Sequence, residues 1–321
     1  MYFKVVITLI AMCAYASAAP KYVSLGNLAF QSNVKVTTYT TNIPDTLIAL
    51  NNTGTPRAHS LDTLLALAIT RPGIIAALSA PSVTLWAPTD VAFNSFVHMN
   101  PGLNLSGDAV TETLAFHAVP NFVYKPDPDV PLTIVPTAQT PLQSIITYDG
   151  TAVNVQYAGL FQGKVIESLV CSNGIIHVVK KVLALPTTVS ATAAQVPTLS
   201  ELVDALDATN LTSTIDNLNA VTVFAPINSA FDAISDVTAT LNTSQLASVL
   251  EYHVIPATAF STQLKDGEQF TTVLGQTLTV SLADGKVTII GAGSNATVVM
   301  ANVQTSNGVV HVIDTVLIPK L

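Results

Sequence analysis

The feature that most constrains this 321-residue chain is an internal repeat. Three blocks recur in the same order. Val83-Thr-Leu-Trp-Ala-Pro-Thr-Asp-Val-Ala-Phe93 returns as Val221-Thr-Val-Phe-Ala-Pro-Ile-Asn-Ser-Ala-Phe231. Leu114-Ala-Phe-His-Ala-Val-Pro120 returns as Leu250-Glu-Tyr-His-Val-Ile-Pro256. Asn173-Gly-Ile-Ile-His-Val-Val-Lys-Lys-Val-Leu183 returns as Asn307-Gly-Val-Val-His-Val-Ile-Asp-Thr-Val-Leu317. The offsets are 138, 136 and 134 residues, a drift that small loop changes produce. Self-similarity of this kind makes each copy one folding unit. Two units of roughly 130 residues lie within the common domain size, and each can bury a core without disulfide staples.

Each block has a physical reading. In the first, Val-Thr-Leu/Val-Trp/Phe is a β-branched and aromatic strand. The Pro that follows cannot donate to a ladder, so the strand stops. Asp90 and Asn228 stand where a helix N-cap belongs. In the second block an apolar helix ends at His117 or His253, and a Pro three residues on prevents its continuation. In the third, Asn-Gly makes a tight turn into an apolar strand holding His177 or His311. Ahead of the first block, Ser60–Ile69 and Thr198–Leu206 carry helical apolar spacing. Between the second and third blocks, Thr277–Leu282 and Val287–Ile290 read as a hairpin around Asp284-Gly285. Ile145–Tyr148 and Thr151–Val155 are its counterpart around Asp149-Gly150. Helices precede antiparallel strands in each copy, which is an α+β arrangement.

Composition narrows the setting. Hydrophobic residues make up 49% and charged residues only 10%, the reverse of a disordered chain. The net charge of −8 and the absence of a Lys/Arg run argue against a nucleic-acid partner. Residues 1–18 read as an export signal. Lys4 opens it, Val5 to Tyr15 is apolar, and Ala16-Ser17-Ala18 is an A-x-A cleavage site. That run is too short to span a bilayer, and polar residues interrupt every later one. Neither a membrane span nor a lipid anchor is expected, and the chain is expected to be secreted, extracellular or wall-associated. With Cys13 removed, Cys171 is either a small buried residue or an interchain partner. Five N-x-Ser/Thr sequons, at Asn51, Asn104, Asn210, Asn242 and Asn295, are candidate glycosylation sites.

The three blocks, in this order, resemble the fasciclin domain family. The second copy matches its pattern almost without departure. The first is looser, with Trp86, Phe116 and Lys180 where the pattern has Phe, Tyr and Asp. The resemblance covers about residues 45–186 and 195–319. It implies two tandem fasciclin-like domains, each a β-wedge packed with several helices. It also implies an extracellular setting, with adhesion or matrix interaction as the usual role. In animal members of that family the Tyr-His region has been linked to integrin binding, though an integrin partner is not carried over to this chain. Tyr252 and His253, with Phe116 and His117 as their counterparts, are therefore the candidate contact residues. The Thr- and Ala-rich composition and the short signal point to a fungal or otherwise microbial source.

No catalytic constellation emerges. The chain has no H-E-x-x-H, no G-x-S-x-G and no phosphate loop, and neither metal nor cofactor is implied. Four histidines occupy repeat-equivalent positions in apolar contexts, which suits architectural imidazoles. One segment is particular to the first copy. Residues 119–141 hold six prolines, and with Phe122, Tyr124 and Val130–Val135 they form either a copy-specific contact surface or a rigid loop on its own domain. The reading is a secreted adhesion protein, not an enzyme. Its partner would be an extracellular protein or a cell-wall polysaccharide, with self-association a further option. A carrier of a small apolar ligand is the runner-up, and an extracellular hydrolase the third reading.

Overall fold

The computed structural model describes residues 34–52 and 59–320. The export signal read at 1–18 lies outside the described residues. The first domain runs β1 (Lys35–Thr38), α1 (Ile43–Asn52), α2 (Asp62–Ile69), α3 (Pro72–Ser79), β2 (Val83–Pro88), α4 (Asp90–Met99), α5 (Asp108–Phe116), β3 (Ala118–Val119), β4 (Leu132–Pro136), β5 (Gln143–Tyr148), β6 (Val153–Tyr157), β7 (Phe161–Cys171) and β8 (Gly174–Val179). The second runs α6 (Val189–Ala193), α7 (Ser200–Ala208), α8 (Thr212–Asn217), β9 (Val221–Pro226), α9 (Asn228–Asp232), α10 (Ser235–Thr238), α11 (Thr243–Tyr252), β10 (Val254–Ile255), β11 (Gln269–Thr271), β12 (Thr277–Ala283), β13 (Lys286–Ile290), β14 (Asn295–Thr305) and β15 (Gly308–Ile313).

The strand orders are the same in both copies. The first sheet is β3-β2-β8-β7-β6-β5-β4 and the second is β10-β9-β15-β14-β13-β12-β11. The first and third repeat blocks meet at the centre, where β2 pairs parallel with β8 and β9 with β15. All six residues of β2 and of β9 are buried, as a strand covered on both faces requires. The period-2 alternation then splits each strand between two cores. Leu85 and Ala87 face the helices, with Leu64, Ile74 and Leu78. Trp86 faces the inside of the sheet, which folds over itself to bring Ile146, Val155 and Val179 against the indole. Val223 and Ala225, with Phe224 between them, make the same division in the second domain.

The folded units begin earlier than 45 and 195. Strand β1 adds to β7 in parallel, and Lys35 reaches the buried Glu167 carboxylate at 3.6 Å. Helix α6 lies ahead of residue 195, yet Val189 and Ala193 belong to the second core. Strand β1 itself stays largely exposed, while α6 packs against α7 and α8.

Two local readings are corrected by long-range contacts. Asp90 does not cap its own helix, because Thr89 does, accepting from Ala92 N. Asp90 Oδ1 instead accepts from Thr63 N at 2.8 Å, in the first turn of α2. Asn228 acts in the same way, accepting from Glu201 N in the first turn of α7 at 3.1 Å. The Asn-Gly pair is also more than a turn. Asn173 Nδ2 donates to Leu78 O and Ala80 O, closing the C-terminal end of α3. Asn307 Nδ2 reaches Ile215 O and Leu218 O at the end of α8. A Cβ on Gly174 or Gly308 would stand 2.0 Å from Val83 O or Val221 O, so side-chain-free backbone is required there. The hairpin reading is matched at Asp284-Gly285, where φ values of 53° and 71° suit the two-residue turn.

Candidate functional site

The four candidate contact residues sit at the C-terminal ends of α5 and α11, and all are interior. Phe116 is 2% exposed, His117 0%, Tyr252 0% and His253 2%. The contact reading is corrected here, because none of these side chains offers surface to a partner. Their order follows from the helix period. The last turn of an amphipathic helix points its apolar face at the sheet, and the Pro that follows turns the chain into the core.

The histidines are joints between chain segments. His117 Nδ1 donates to Thr113 O at 2.7 Å, and its Nε2 accepts from Leu183 N at 2.8 Å. His253 repeats this with Val249 O at 2.7 Å and Leu317 N at 2.9 Å. A backbone N–H can be accepted only by an unprotonated ring nitrogen, so both imidazoles are neutral with the proton on Nδ1. Each ties a helix end to the segment leaving the last strand of its domain. His177 and His311 take the other tautomer, with Nε2 donating to Tyr124 O and Ala259 O. His177 stacks on Trp86 with centroids 5.1 Å apart, and its Nδ1 accepts from Ser168 Oγ at 2.8 Å. Burial pushes His117, His177 and His253 down to about 4 and lowers His311 as well. Tyr252 Oη donates to Thr277 O and accepts from Ala292 N, a tie that Phe116 lacks.

The Pro-rich segment packs in two places within the chain. Tyr124 is 2% exposed and packs against Trp86 and His177, so that part is a strut of its own domain. Leu132 and Ile134, on β4, make contact of another kind. They flank Ile145 against Phe260 and Val309 of the second domain. Beside this apolar cluster, Gln143 N donates to Gln304 Oε1 at 2.7 Å, and Gln304 Nε2 donates to Gln143 O at 3.1 Å. One side chain thus satisfies both backbone groups of a residue in the other domain. Gly159 completes the joint, since a Cβ there would stand 2.5 Å from Gln304 O. Nothing local marked Gln143, Gln304 or Phe260. Their signal was comparative: the repeat positions of Gln143 and Gln304 hold Thr277 and Val170 in the other copy.

The five sequon asparagines are all exposed. Cys171 is buried at 0% exposure and packed in the first core, so it is the small interior residue and not an interchain partner. Among the described residues no group of three His, Cys, Asp or Glu is placed to hold a metal ion. Among them, too, no single helix is long and apolar enough to cross a membrane.

A sequence model of the Fasciclin domain matches residues 59–186 and 197–319. The chain belongs to the fasciclin domain family. A stretch of 139 residues, 42% of this chain, is 37% identical to Protein sll1483 of Synechocystis and covers 74% of that protein. A stretch of 149 residues is 32% identical to a Fasciclin-like arabinogalactan protein of Arthroderma benhamiae. That match covers 46% of this chain and 34% of the relative, so the chain spans about a third of that protein. Among solved structures, a FAS1 domain pair from the insect cell adhesion molecule Fasciclin I is 19% identical. It covers 80% of this chain and 96% of that one, with a TM-score of 0.42. Fasciclin domain proteins are in general adhesion modules, and membership supports a role in cell adhesion or matrix interaction.

Proposed function

We propose that this chain is exported and works as a two-module adhesion protein, presenting its fasciclin modules in a fixed relation to an extracellular protein or a cell-wall polysaccharide. The observation that carries this reading is the joint between the modules. Ile145, Phe260 and Val309 are buried together there, and Gln304 answers both backbone groups of Gln143. Two contact surfaces held at one spacing bind with an effective concentration set by geometry, without new contacts. Two relatives bear names that agree with such a setting, a Fasciclin-like arabinogalactan protein and a cell surface glycolipoprotein.

The test compares the intact chain with Phe260→Ala/Gln304→Ala on isolated wall material and on immobilised matrix protein. Bivalent contact predicts that the variant stays folded and binds about 10-fold to 100-fold more weakly. Equal binding by both would remove fixed bivalency. No binding by the intact chain to either surface would remove the adhesion reading.

A further inference from the structure

The surface of this protein has an unusual shortage of charge. With charged residues at 10% and mean hydropathy at +0.51, hydration must come from other groups. N-linked sugars need an asparagine that is exposed and whose Nδ2 is uncommitted, because that nitrogen carries the glycan. Six other asparagines spend Nδ2 inside the fold. Asn100 and Asn217 bond helix carbonyls, Asn173 and Asn307 close helix ends, and Asn228 and Asn302 brace loops. Among the described residues the five sequon asparagines, like Asn42, show no hydrogen bond through Nδ2. Asn104 and Asn242 use only Oδ1, accepting from Ser106 N and Gln245 N. Among the described residues, no hydrogen bond from the side chains of Asn51, Asn210 or Asn295 is present.

Three of the five stand beside a large exposed aliphatic side chain. Ile48, 43% exposed, lies three residues before Asn51 on α1 and so on the same helix face. Leu105, 42% exposed, follows Asn104 at the rim of an apolar pocket lined by Phe96 and Leu103. Ile290, 40% exposed, is the direct cross-strand partner of Asn295 in an antiparallel pair. Side chains so paired have Cβ atoms about 5 Å apart. Leu211 and Leu241, which neighbour Asn210 and Asn242, pack instead against the second core.

We propose that N-linked glycans at Asn51, Asn104 and Asn295 cover Ile48, Leu105 and Ile290, and supply the hydration that charge supplies on other protein surfaces. The first N-acetylglucosamine lays its C–H face and acetamido methyl on the aliphatic group and turns its hydroxyls to water. In the transfer, a polyisoprenyl pyrophosphate-linked oligosaccharide gives its C1 to Nδ2. The C1–O bond to pyrophosphate breaks, the C1–N bond forms, and the amide proton leaves with the lipid pyrophosphate. The proposal rests on the export argued above.

The experiment uses the full chain secreted from an N-glycosylating host. Peptide mass spectrometry after amidase release in heavy-oxygen water should show Asn51, Asn104 and Asn295 converted to labelled Asp. The folded glycoprotein is then treated in two ways. Trimming to a single sugar should leave the fluorescence of a bound apolar-surface dye unchanged, and complete release should raise it several-fold. Removing the three sequons through Thr53→Ala, Ser106→Ala and Thr297→Ala should raise dye binding likewise. Removing the other two through Thr212→Ala and Ser244→Ala, which leaves the Asn242 cap in place, should not. Unmodified asparagine at the three sites, or dye binding indifferent to complete release, overturns the proposal. A chain that is glycosylated yet binds no wall or matrix fails the adhesion reading alone. One that binds but is bare fails this proposal alone.

Discussion

At the scale of single residues, the neutral histidines make the fold sensitive to acid. Burial holds His117, His177 and His253 at about 4, while the unfolded chain titrates them near 6.5. The unfolded state therefore binds more protons between those values. Stability is fully present above 6.5, falls as the pH drops, and levels off below about 4, with each histidine contributing on the order of 3 kcal/mol at most. Asp90 acts in a separate window. Burial opposes its ionisation, but hydrogen bonds from Ser60 and Thr63 outweigh this and hold its carboxyl below 3.8, so its contribution is lost only at still lower pH. Urea midpoints measured at pH 7, 5.5 and 4.5 should fall steadily. In His253→Leu, Leu317 N and Val249 O lose their partner, so the protein is weaker at pH 7 and its slope is shallower by one group. A midpoint independent of pH above 4.5 would refute the neutral-imidazole assignment. The glycines of the third block give a second residue-scale prediction. Gly308→Ala puts a methyl group into Val221 O and should cost about 3 kcal/mol or more, read from the thermal midpoint. Gly73→Ala meets nothing within 4 Å and serves as the control.

At the scale of elements, the first and third repeated blocks cap helices that lie outside the blocks. Asp90→Ala should destabilise by about 1 kcal/mol through the loss of the α2 cap, as should Asn228→Ala through α7. Native-state hydrogen exchange identifies the element. The amides of Thr63 and Glu201 should lose protection, while Ala92, capped by Thr89, keeps it. If Ala92 exchanged instead, the capping would be local after all. Helix, strand and hairpin identities at this scale were legible in the sequence, because each repeats a short-range signal of apolar period, Pro or Asp-Gly. The target of each cap was not, because Asp90 lies as close in sequence to its own helix as any N-cap does. Only the tertiary fold brings it to the start of α2, where its N donates to Ser60 O and its Oδ1 accepts from Thr63 N. Likewise Tyr252 and His253 looked available when read as a motif, and the helix rotation that buries them is fixed by the sheet they pack on.

At the scale of the whole molecule, the joint decides whether the two modules unfold together. Gln304→Ala leaves both backbone groups of Gln143 without this partner and should weaken the coupling by about 1–3 kcal/mol. With Phe260→Ala added, the apolar half of the joint is lost as well. Scanning calorimetry of the intact chain should show one cooperative transition and that of the double variant two. Two transitions in both would mean that the modules are thermally independent and that the joint is a contact of no consequence. Gly159→Ala is a third probe, since its φ of 75° and its closeness to Gln304 O both reject a side chain.

The sequence by itself determined the number of modules, their family, their α+β order and the identity of the central strands. Each of these rests on spacing within about a dozen residues or on one copy repeating the other. Tertiary structure alone decided three things. The Tyr-His pairs became interior joints, Asp90 and Asn228 came to cap helices other than their own, and part of the Pro-rich segment of the first copy was spent on the second. The physical reason is common to all three. A hydrogen-bonding or apolar side chain carries no record of which distant partner will satisfy it, and that partner is chosen only when the sheet sets its register.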